Sequence, residues 1–346
     1  MQKFIEPRLI DDFLTPQEID ALMTQYFSWM QTGWKSSRAV YDHGHQQHYI
    51  GIPSKHLPID LMKLPHFRRN NPWLEQVWGG IQDIIGPRGL YRCYSKSYHY
   101  GQDAYRHNDV TGKKFTLPDG RKRIEVDDVV PDFETIIIYL TKDWKTDYYG
   151  HTVLYDGDEI AVSVMPKYNR CFVFDSAQDH ASVPLSRMCP VNKNILVMNS
   201  MPAAQSDEGF DFLLKYSEGV PHSGKTFIEH LWNVYDSLVQ FKVKRHVALA
   251  GLWHSAYGTA FYQKHDMSVF TREKVKEYIG EKAEDLVYRF CQLPKTRVER
   301  IIELEDVELG YIEVANLLDQ NHDGRQNERL ANLKLMIQKV EAGVSE

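Results

Sequence analysis

Long apolar runs and paired cysteines are both missing from this sequence of 346 residues. Since no stretch of about 18 apolar residues occurs, we expect no transmembrane helix. The opening segment MQKFIEPRLIDDFLT lacks an apolar core, so we expect no signal peptide. Four scattered cysteines (Cys93, Cys171, Cys189 and Cys291) show no CxxC spacing. This argues against a disulfide framework or a zinc knuckle and predicts a reducing, cytoplasmic location.

An excess of positive charge is also absent, because the formal net charge is −6. Without a basic stripe, nucleic acid is not an expected partner, and neither is a membrane surface. We expect the partner to be a small-molecule substrate. A homodimer is compatible with the sequence, which does not define the oligomeric state.

The order of the predicted elements favours an α+β chain of two domains. Helical patterns open the chain, and short β-branched and aromatic segments follow from about residue 88 to 201. Helical periodicity returns after residue 206. We therefore expect a mainly antiparallel β domain with flanking helices at residues 1–205 and an all-α domain at residues 206–346.

Three local features of this pattern can be checked directly. Thr15, Pro16 and Glu18 form the N-terminal signature of a helix, with a capping box. The polar segment TGKKFTLPDGRKRIEVDDVVPD reads as one long loop. The polar tail after Asn321 predicts a last exposed helix or a frayed end.

Two metal-ligand residues with one residue between them occur in YRHNDV, namely His107 and Asp109. Residues i and i+2 of a strand point to the same side, so both side chains can bind one ion. The best third ligand is His180, which follows the predicted strand RCFVFDS. Two histidines and one carboxylate are the ligand set of non-haem Fe(II) oxygenases. The alternative is an accidental surface pair in a chain with 15 histidines.

The segments around these residues resemble the prolyl 4-hydroxylase-like group of Fe(II)/2-oxoglutarate-dependent dioxygenases. The matching pieces are YHYGQDAYRHND, TIIIYLTKDWKTDYYGHTVLYD, VMPKYNRCFVFDS and DHASVPLSR. The resemblance covers roughly residues 1–201 and implies a double-stranded β-helix, or jelly roll. It also implies iron at His107, Asp109 and His180, with 2-oxoglutarate and dioxygen as co-substrates.

Members of this group anchor 2-oxoglutarate with a basic residue after the distal histidine. Lys193, which opens the predicted strand KNILVMNSM, is the preferred candidate, and Arg187 is the other. Most relatives carry arginine at this place, so the anchor is open between the two. Tyr98 matches a tyrosine that helps to bind the co-substrate; a packed core tyrosine is an equal alternative.

The C-terminal part contains two histidines in an apolar helical setting, His230 and His254. They resemble the first two histidines of the HD superfamily, which binds metals through an H…HD…D pattern. The aspartate of that pattern is replaced here by Ser255. With Glu313 as an added ligand, the pair would hold a second metal, which we expect to be iron. The alternative is a degenerate HD fold in which both histidines are hydrogen-bonded core residues.

These observations lead to a functional prediction with open alternatives. We expect an Fe(II)/2-oxoglutarate-dependent dioxygenase that hydroxylates a C–H bond of a small molecule. A further oxidative step in the HD-like domain would resemble inositol oxygenase chemistry. The alternatives are a hydroxylase of a protein or peptide side chain, a binding protein that responds to iron and 2-oxoglutarate, and an HD phosphohydrolase with an accessory β domain. Ser255 disfavours the last of these.

Overall fold

The structure is a computed structural model, and it divides the chain into two units, Met1–Ser206 and Asp207–Glu346. The residues it describes are 6–32, 35–36, 46–51, 59–102, 104–109, 114–116, 122–124, 133–202, 207–217, 219–222, 224–261, 267–321 and 323–343. No helix in these ranges is long and apolar enough to cross a membrane.

Unit 1 contains three helices and thirteen strands within its described residues. The helices are α1 (Pro16–Thr32), α2 (Pro65–Asn70) and α3 (Pro72–Ile85). The strands are β1 (Arg8–Ile10), β2 (Lys35–Ser36), β3 (Gln46–Gly51), β4 (Arg88–Tyr98), β5 (Ala104–His107), β6 (Lys114–Thr116), β7 (Lys122–Ile124), β8 (Glu134–Tyr139), β9 (Thr152–Asp156), β10 (Glu159–Val164), β11 (Cys171–Asp175), β12 (His180–Ser182) and β13 (Lys193–Pro202).

Two antiparallel sheets form the centre of unit 1. The major sheet has the order β1-β11-β8-β13-β4-β3-β2, and the minor sheet has the order β10-β9-β12-β5. Apolar side chains from both sheets, among them Tyr94, Leu154, Phe172 and Val197, form one buried cluster. The core of unit 1 therefore lies between the sheets, and inward-facing residues of both sheets meet there.

The register of the major sheet aligns polar residues in rows across three strands. Asn199 of β13 lies opposite Arg92 of β4 and Thr135 of β8. Further along β13, Lys193 lies opposite Tyr98. Because alternate residues of a strand share a face, each row presents its side chains to the same side of the sheet.

The described part of unit 2 is helical apart from one small hairpin. The hairpin pairs β14 (Pro221–His222) with β15 (Lys225–Thr226). The helices are α4 (Glu208–Ser217), α5 (Phe227–Gln240), α6 (Arg245–Trp253), α7 (Arg272–Ile279), α8 (Glu281–Cys291), α9 (Arg297–Glu303), α10 (Val307–Gln320) and α11 (Asn327–Glu341).

A close crossing of α5 and α6 orders the core of unit 2. Gly251 of α6 faces α5, where a Cβ would stand 2.0 Å from Cδ1 of Leu238. Only glycine permits this approach, since any side chain would collide with the buried leucine. The crossing brings His230 of α5 next to His254, which directly follows α6.

Several sequence predictions of local structure are confirmed, and two are corrected. The Thr15 cap is present: its amide donates to Glu18 at 2.8 Å, and Thr15 accepts from the Glu18 amide at 3.3 Å. The predicted loop at residues 111–132 contains two short strands, β6 and β7, which pair antiparallel. The rest of that segment lies outside the described residues. The tail forms α11, which is not simply exposed, because Leu330, Leu333, Met336 and Ile337 are buried.

Candidate active site

Two histidines and one aspartate converge at the inner face of the minor sheet. His107 of β5 and His180 of β12 are direct partners in the antiparallel register, and their ring centroids lie 4.3 Å apart. Nε2 of His180 lies 3.9 Å from Oδ2 of Asp109. One ligand atom from each of the three residues lies within 4.8 Å of the others. Among the described residues, this is the one group of three histidine, cysteine or acidic side chains with that closeness.

The backbone around His180 orients its ring. Nδ1 lies 3.0 Å from the carbonyl oxygen of Gln178, so Nδ1 carries the proton and Nε2 keeps its lone pair. Such a bond to the distal nitrogen fixes the tautomer of metal-binding histidines. Burial, followed by the neighbouring His107, lowers the pKa of His180 to about 4, so the ring is neutral at physiological pH.

Three side chains of the major sheet hold the carboxylate of Asp109. Thr135 donates its hydroxyl to Oδ2 at 2.6 Å, Asn199 donates its amide to Oδ2 at 3.2 Å, and Arg92 donates to Oδ1 at 3.2 Å. Burial by itself would raise the pKa of Asp109. The charge of Arg92, the two histidines and the Thr135 hydroxyl outweigh that effect and hold the pKa below its usual value. Asp109 is therefore ionised and fixed in position.

Lys193 lies in the same pocket as the two histidines and Asp109. Its side chain is 1% exposed, and Nζ donates to the Gly150 carbonyl at 3.0 Å and to the Ser182 hydroxyl. Nζ also lies 4.5 Å from the ring centroid of Tyr98. Burial, with a smaller contribution from Lys96, lowers the pKa of Lys193 to about 7. A buried ammonium without a carboxylate partner is costly, and an anionic ligand would relieve that cost.

The other predicted anchor does not reach this pocket. Arg187 is exposed, and its Nε donates to the hydroxyl of Tyr100 at 3.2 Å. Tyr98 does line the pocket, in direct register with Lys193. The structure thus brings together five of the six residues predicted for the first site and leaves Arg187 apart.

Sequence reasoning missed Lys96 and the three residues that hold Asp109. Arg92, Tyr94, Lys96 and Tyr98 are spaced two apart on β4, and the last three line the pocket. That spacing was a visible signal for one shared face. The cavity itself is narrow, about 30 Å³. Long side chains such as Lys96 must therefore move before a ligand larger than water can enter.

The residues predicted for a second metal form a different arrangement in unit 2. His230 and His254 converge as expected, with their Nε2 atoms 3.3 Å apart. Nδ1 of His230 lies 2.6 Å from Oδ2 of Asp319, and Nδ1 of His254 lies 2.7 Å from the Gly251 carbonyl. Both Nδ1 atoms therefore donate, and the two Nε2 atoms face each other.

Glu313 does not join the two histidines as a third ligand. Its Oε1 accepts from Nε of Arg297 at 2.8 Å, and its Oε2 accepts from the amide of Asn316 at 3.0 Å. Burial raises the pKa of Glu313, which the positive charge of Arg297 opposes. Among the described residues of unit 2, no three histidine, cysteine or acidic side chains bring their ligand atoms within 4.8 Å of one another, so the three-ligand set expected for a second iron is not formed there.

A protein-family model matches part of unit 2. Residues 214–295 match the model of a domain of unknown function, DUF6817. No curated protein matches the chain in sequence.

Solved structures similar to this chain include several oxygenases. A prolyl-4-hydroxylase from Pseudomonas putida is 16% identical, over 57% of this chain and 92% of that chain, with a TM-score of 0.39. A 2OG-Fe(II) oxygenase family protein from Burkholderia pseudomallei is 14% identical, over 58% and 86% of the two chains, with a TM-score of 0.40. HygX from Streptomyces hygroscopicus, solved with nickel and 2-oxoglutarate, is 10% identical, over 57% and 83%, with a TM-score of 0.37. Since these scores and identities are low, we take the function from this chain's own residues.

Proposed function

We propose that the chain is an Fe(II)- and 2-oxoglutarate-dependent oxygenase that hydroxylates a C–H bond of a small molecule. The observation that carries the proposal is the cluster of His107, Asp109 and His180, which shares its pocket with the buried ammonium of Lys193. A two-histidine, one-carboxylate set leaves coordination positions open for other ligands, as non-haem iron oxygenases require. When bound, iron and 2-oxoglutarate would supply the activation of dioxygen and the oxidation of the C–H bond.

The donor atoms of the site suit a bound iron ion. His180 keeps Nε2 unprotonated because its Nδ1 donates to Gln178. Asp109 stays ionised and is held by Thr135 and Asn199. Supporting hydrogen bonds of this kind set the orientation and affinity of metal ligands.

The residues of the pocket also suit 2-oxoglutarate. Lys193 would bind the distal carboxylate, with the Ser182 hydroxyl beside it and Tyr98 next to it. Lys96, in the same pocket, adds positive charge. A charge-assisted bond from a buried lysine to a carboxylate is among the stronger polar contacts in proteins.

Fold, substrate size and location are assigned from further features of the two units. We assign the paired antiparallel sheets of unit 1 to a jelly roll and the His230–His254 pair of unit 2 to an HD-like helical domain. The site lies among inward-facing side chains of both sheets, which supports a small substrate over a peptide lying in a groove. The four unpaired cysteines support a cytoplasmic location.

The decisive experiment measures succinate formed from 2-oxoglutarate by the purified chain with Fe(II) in air. We expect turnover that requires iron and dioxygen and is lost in His180→Ala. A pool of cell metabolites should accelerate turnover, whereas proline-containing peptides should not. If peptides accelerate turnover and metabolites do not, the substrate is a peptide and not a small molecule. An absence of turnover by the folded wild-type chain under every condition would refute the oxygenase.

A further inference from the structure

Unit 2 contains a cavity of about 230 Å³ that the oxygenase chemistry does not use. Its buried floor includes His230, His254 and Asn316, which are 1%, 2% and 2% exposed. A buried wall of polar groups is costly unless these groups are paired with one another or with a ligand. A cavity of this size admits a small molecule and not merely a single water.

Two histidines meet at the floor of the cavity. Nδ1 of His230 donates to Asp319, and Nδ1 of His254 donates to the Gly251 carbonyl. Their two Nε2 atoms therefore face each other, 3.3 Å apart, and offer polar atoms to a ligand in the cavity.

The wall and rim of the cavity carry three cations, Arg297, Lys295 and Arg329. Arg297 is 9% exposed and uses Nε for Glu313, and within the described chain its two terminal amino groups have no hydrogen-bond acceptor. Lys295 is exposed and has no ion pair or hydrogen bond with any described residue. Glu313 is the one acidic residue among those that line the cavity, and Arg297 already neutralises it.

The excess of positive charge decides what the cavity can hold. A divalent cation would gain two imidazole nitrogens but would lie near Lys295 and Arg329, whose charges no acidic residue of the lining offsets. An oxyanion would instead offset that charge and accept from several donors at once, as phosphates and carboxylates do at arginine sites.

We propose that this cavity binds a small molecule that carries an oxyanion group, either a phosphate or a carboxylate. Arg297 holds the anion together with Lys295 and Arg329 at the rim. The histidine pair and Asn316 contact the polar remainder of the ligand. This site belongs to unit 2 alone and does not depend on the oxygenase assignment of unit 1.

The test titrates the full-length chain with inorganic phosphate and, separately, with acetate, by calorimetry at constant ionic strength. The double variant Lys295→Gln/Arg329→Gln removes two rim charges without disturbing the buried floor. The variant Lys282→Gln, on the exposed surface of α8, is the matched control. We expect binding by the wild type and the control, and affinity at least about tenfold weaker in the double variant. A preference for phosphate or for acetate identifies the class of oxyanion.

Three outcomes would overturn the proposal. The first is no binding of either anion at millimolar concentration. The second is equal binding by the double variant, which would place the anion elsewhere, including the pocket of Lys193. The third is a second equivalent of iron per chain that His254→Ala removes, since the cavity would then be a metal centre.

Discussion

His107 and His180 face each other as direct partners across two antiparallel strands, with ring centroids 4.3 Å apart. They are far apart in the sequence, and only the pairing of β5 with β12 brings them together. Asp109, two residues after His107, completes the set from the same chain segment. The first prediction therefore tests whether these three side chains bind one iron ion together.

Removal of one histidine ligand should abolish iron binding. His180→Ala leaves two ligands, and we expect iron affinity to fall by at least about a hundredfold, because a three-ligand site loses both a bond and its facial arrangement. Iron per chain after anaerobic dialysis measures this effect. His246→Ala is the control, since His246 pairs with Glu308 in unit 2. Normal iron content in folded His180→Ala would contradict the site.

The hydroxyl of Thr135 should matter although it touches no substrate. Thr135→Val keeps the shape of the side chain and removes the 2.6 Å hydrogen bond to Asp109. We expect iron affinity to weaken about 10- to 100-fold, as for other residues that support metal ligands. Thr24→Val is the matched control, because the exposed Thr24 donates to the Asp20 carbonyl of its own helix, α1. Equal iron affinity in the two variants would show that Asp109 needs no such support.

Lys193, and not Arg187, should determine the affinity for 2-oxoglutarate. Loss of a buried charge-assisted contact costs about 2–5 kcal/mol, so Lys193→Met should weaken 2-oxoglutarate binding by more than about tenfold with iron affinity unchanged. Arg187→Met should leave both affinities near the wild-type values, since Arg187 is exposed. Calorimetric titration of the iron-loaded chain under argon measures both. The reverse result would make Arg187 the anchor.

The affinity for 2-oxoglutarate should fall as the pH rises above 7. The pKa of Lys193 without ligand is about 7, and only the ammonium form pairs with a carboxylate. Below that pH the charge is already present, and above it each bound ligand must take up a proton. The apparent affinity should therefore fall by up to about tenfold per pH unit.

The variant Lys193→Arg provides the control for this pH dependence. Arginine keeps its charge at every pH used, so the decline above pH 7 should disappear. An unchanged decline in Lys193→Arg would assign the titration to another group. Calorimetry in buffers of different ionisation heat counts the protons taken up.

The ion pair of Arg297 and Glu313 should stabilise unit 2. Arg297→Met leaves the carboxylate of Glu313, which is 1% exposed, without its cation. Breaking one side of a buried pair costs about 3–5 kcal/mol, whereas replacing both partners restores much of the loss. We therefore expect Arg297→Met to speed amide exchange in α9 and α10, and Arg297→Met/Glu313→Gln to recover part of the protection. Equal exchange in the single variant and the wild type would contradict this energetic role.

Local sequence patterns predicted the elements that depend on neighbouring residues. The Thr15–Glu18 cap, the strand KNILVMNSM and the apolar face of α5 all appear where their periodicity placed them. The stretch TREKVKEYIGEKAEDLVYRF forms two helices, because Gly280 at a φ of 82° separates α7 from α8. A glycine can continue or end a helix, and its neighbours in space decide which.

The sequence by itself predicted that His107 and Asp109 would act together, because H-x-D is a local pattern. The expected strand alternation does not apply to Asp109, which lies in a bend after β5 ends at His107. Tertiary structure decided the rest. Strand pairing placed His180 against His107 and set Arg92, Asn199 and Thr135 in one row behind Asp109. The fold of unit 1 buries Lys193 and leaves Arg187 exposed, which separates the two predicted anchors. Helix packing in unit 2 pairs Glu313 with Arg297. The physical reason is that ion pairing, burial and the convergence of metal ligands depend on distances in space. Strand register and helix crossing set those distances, and the spacing of residues along the chain does not.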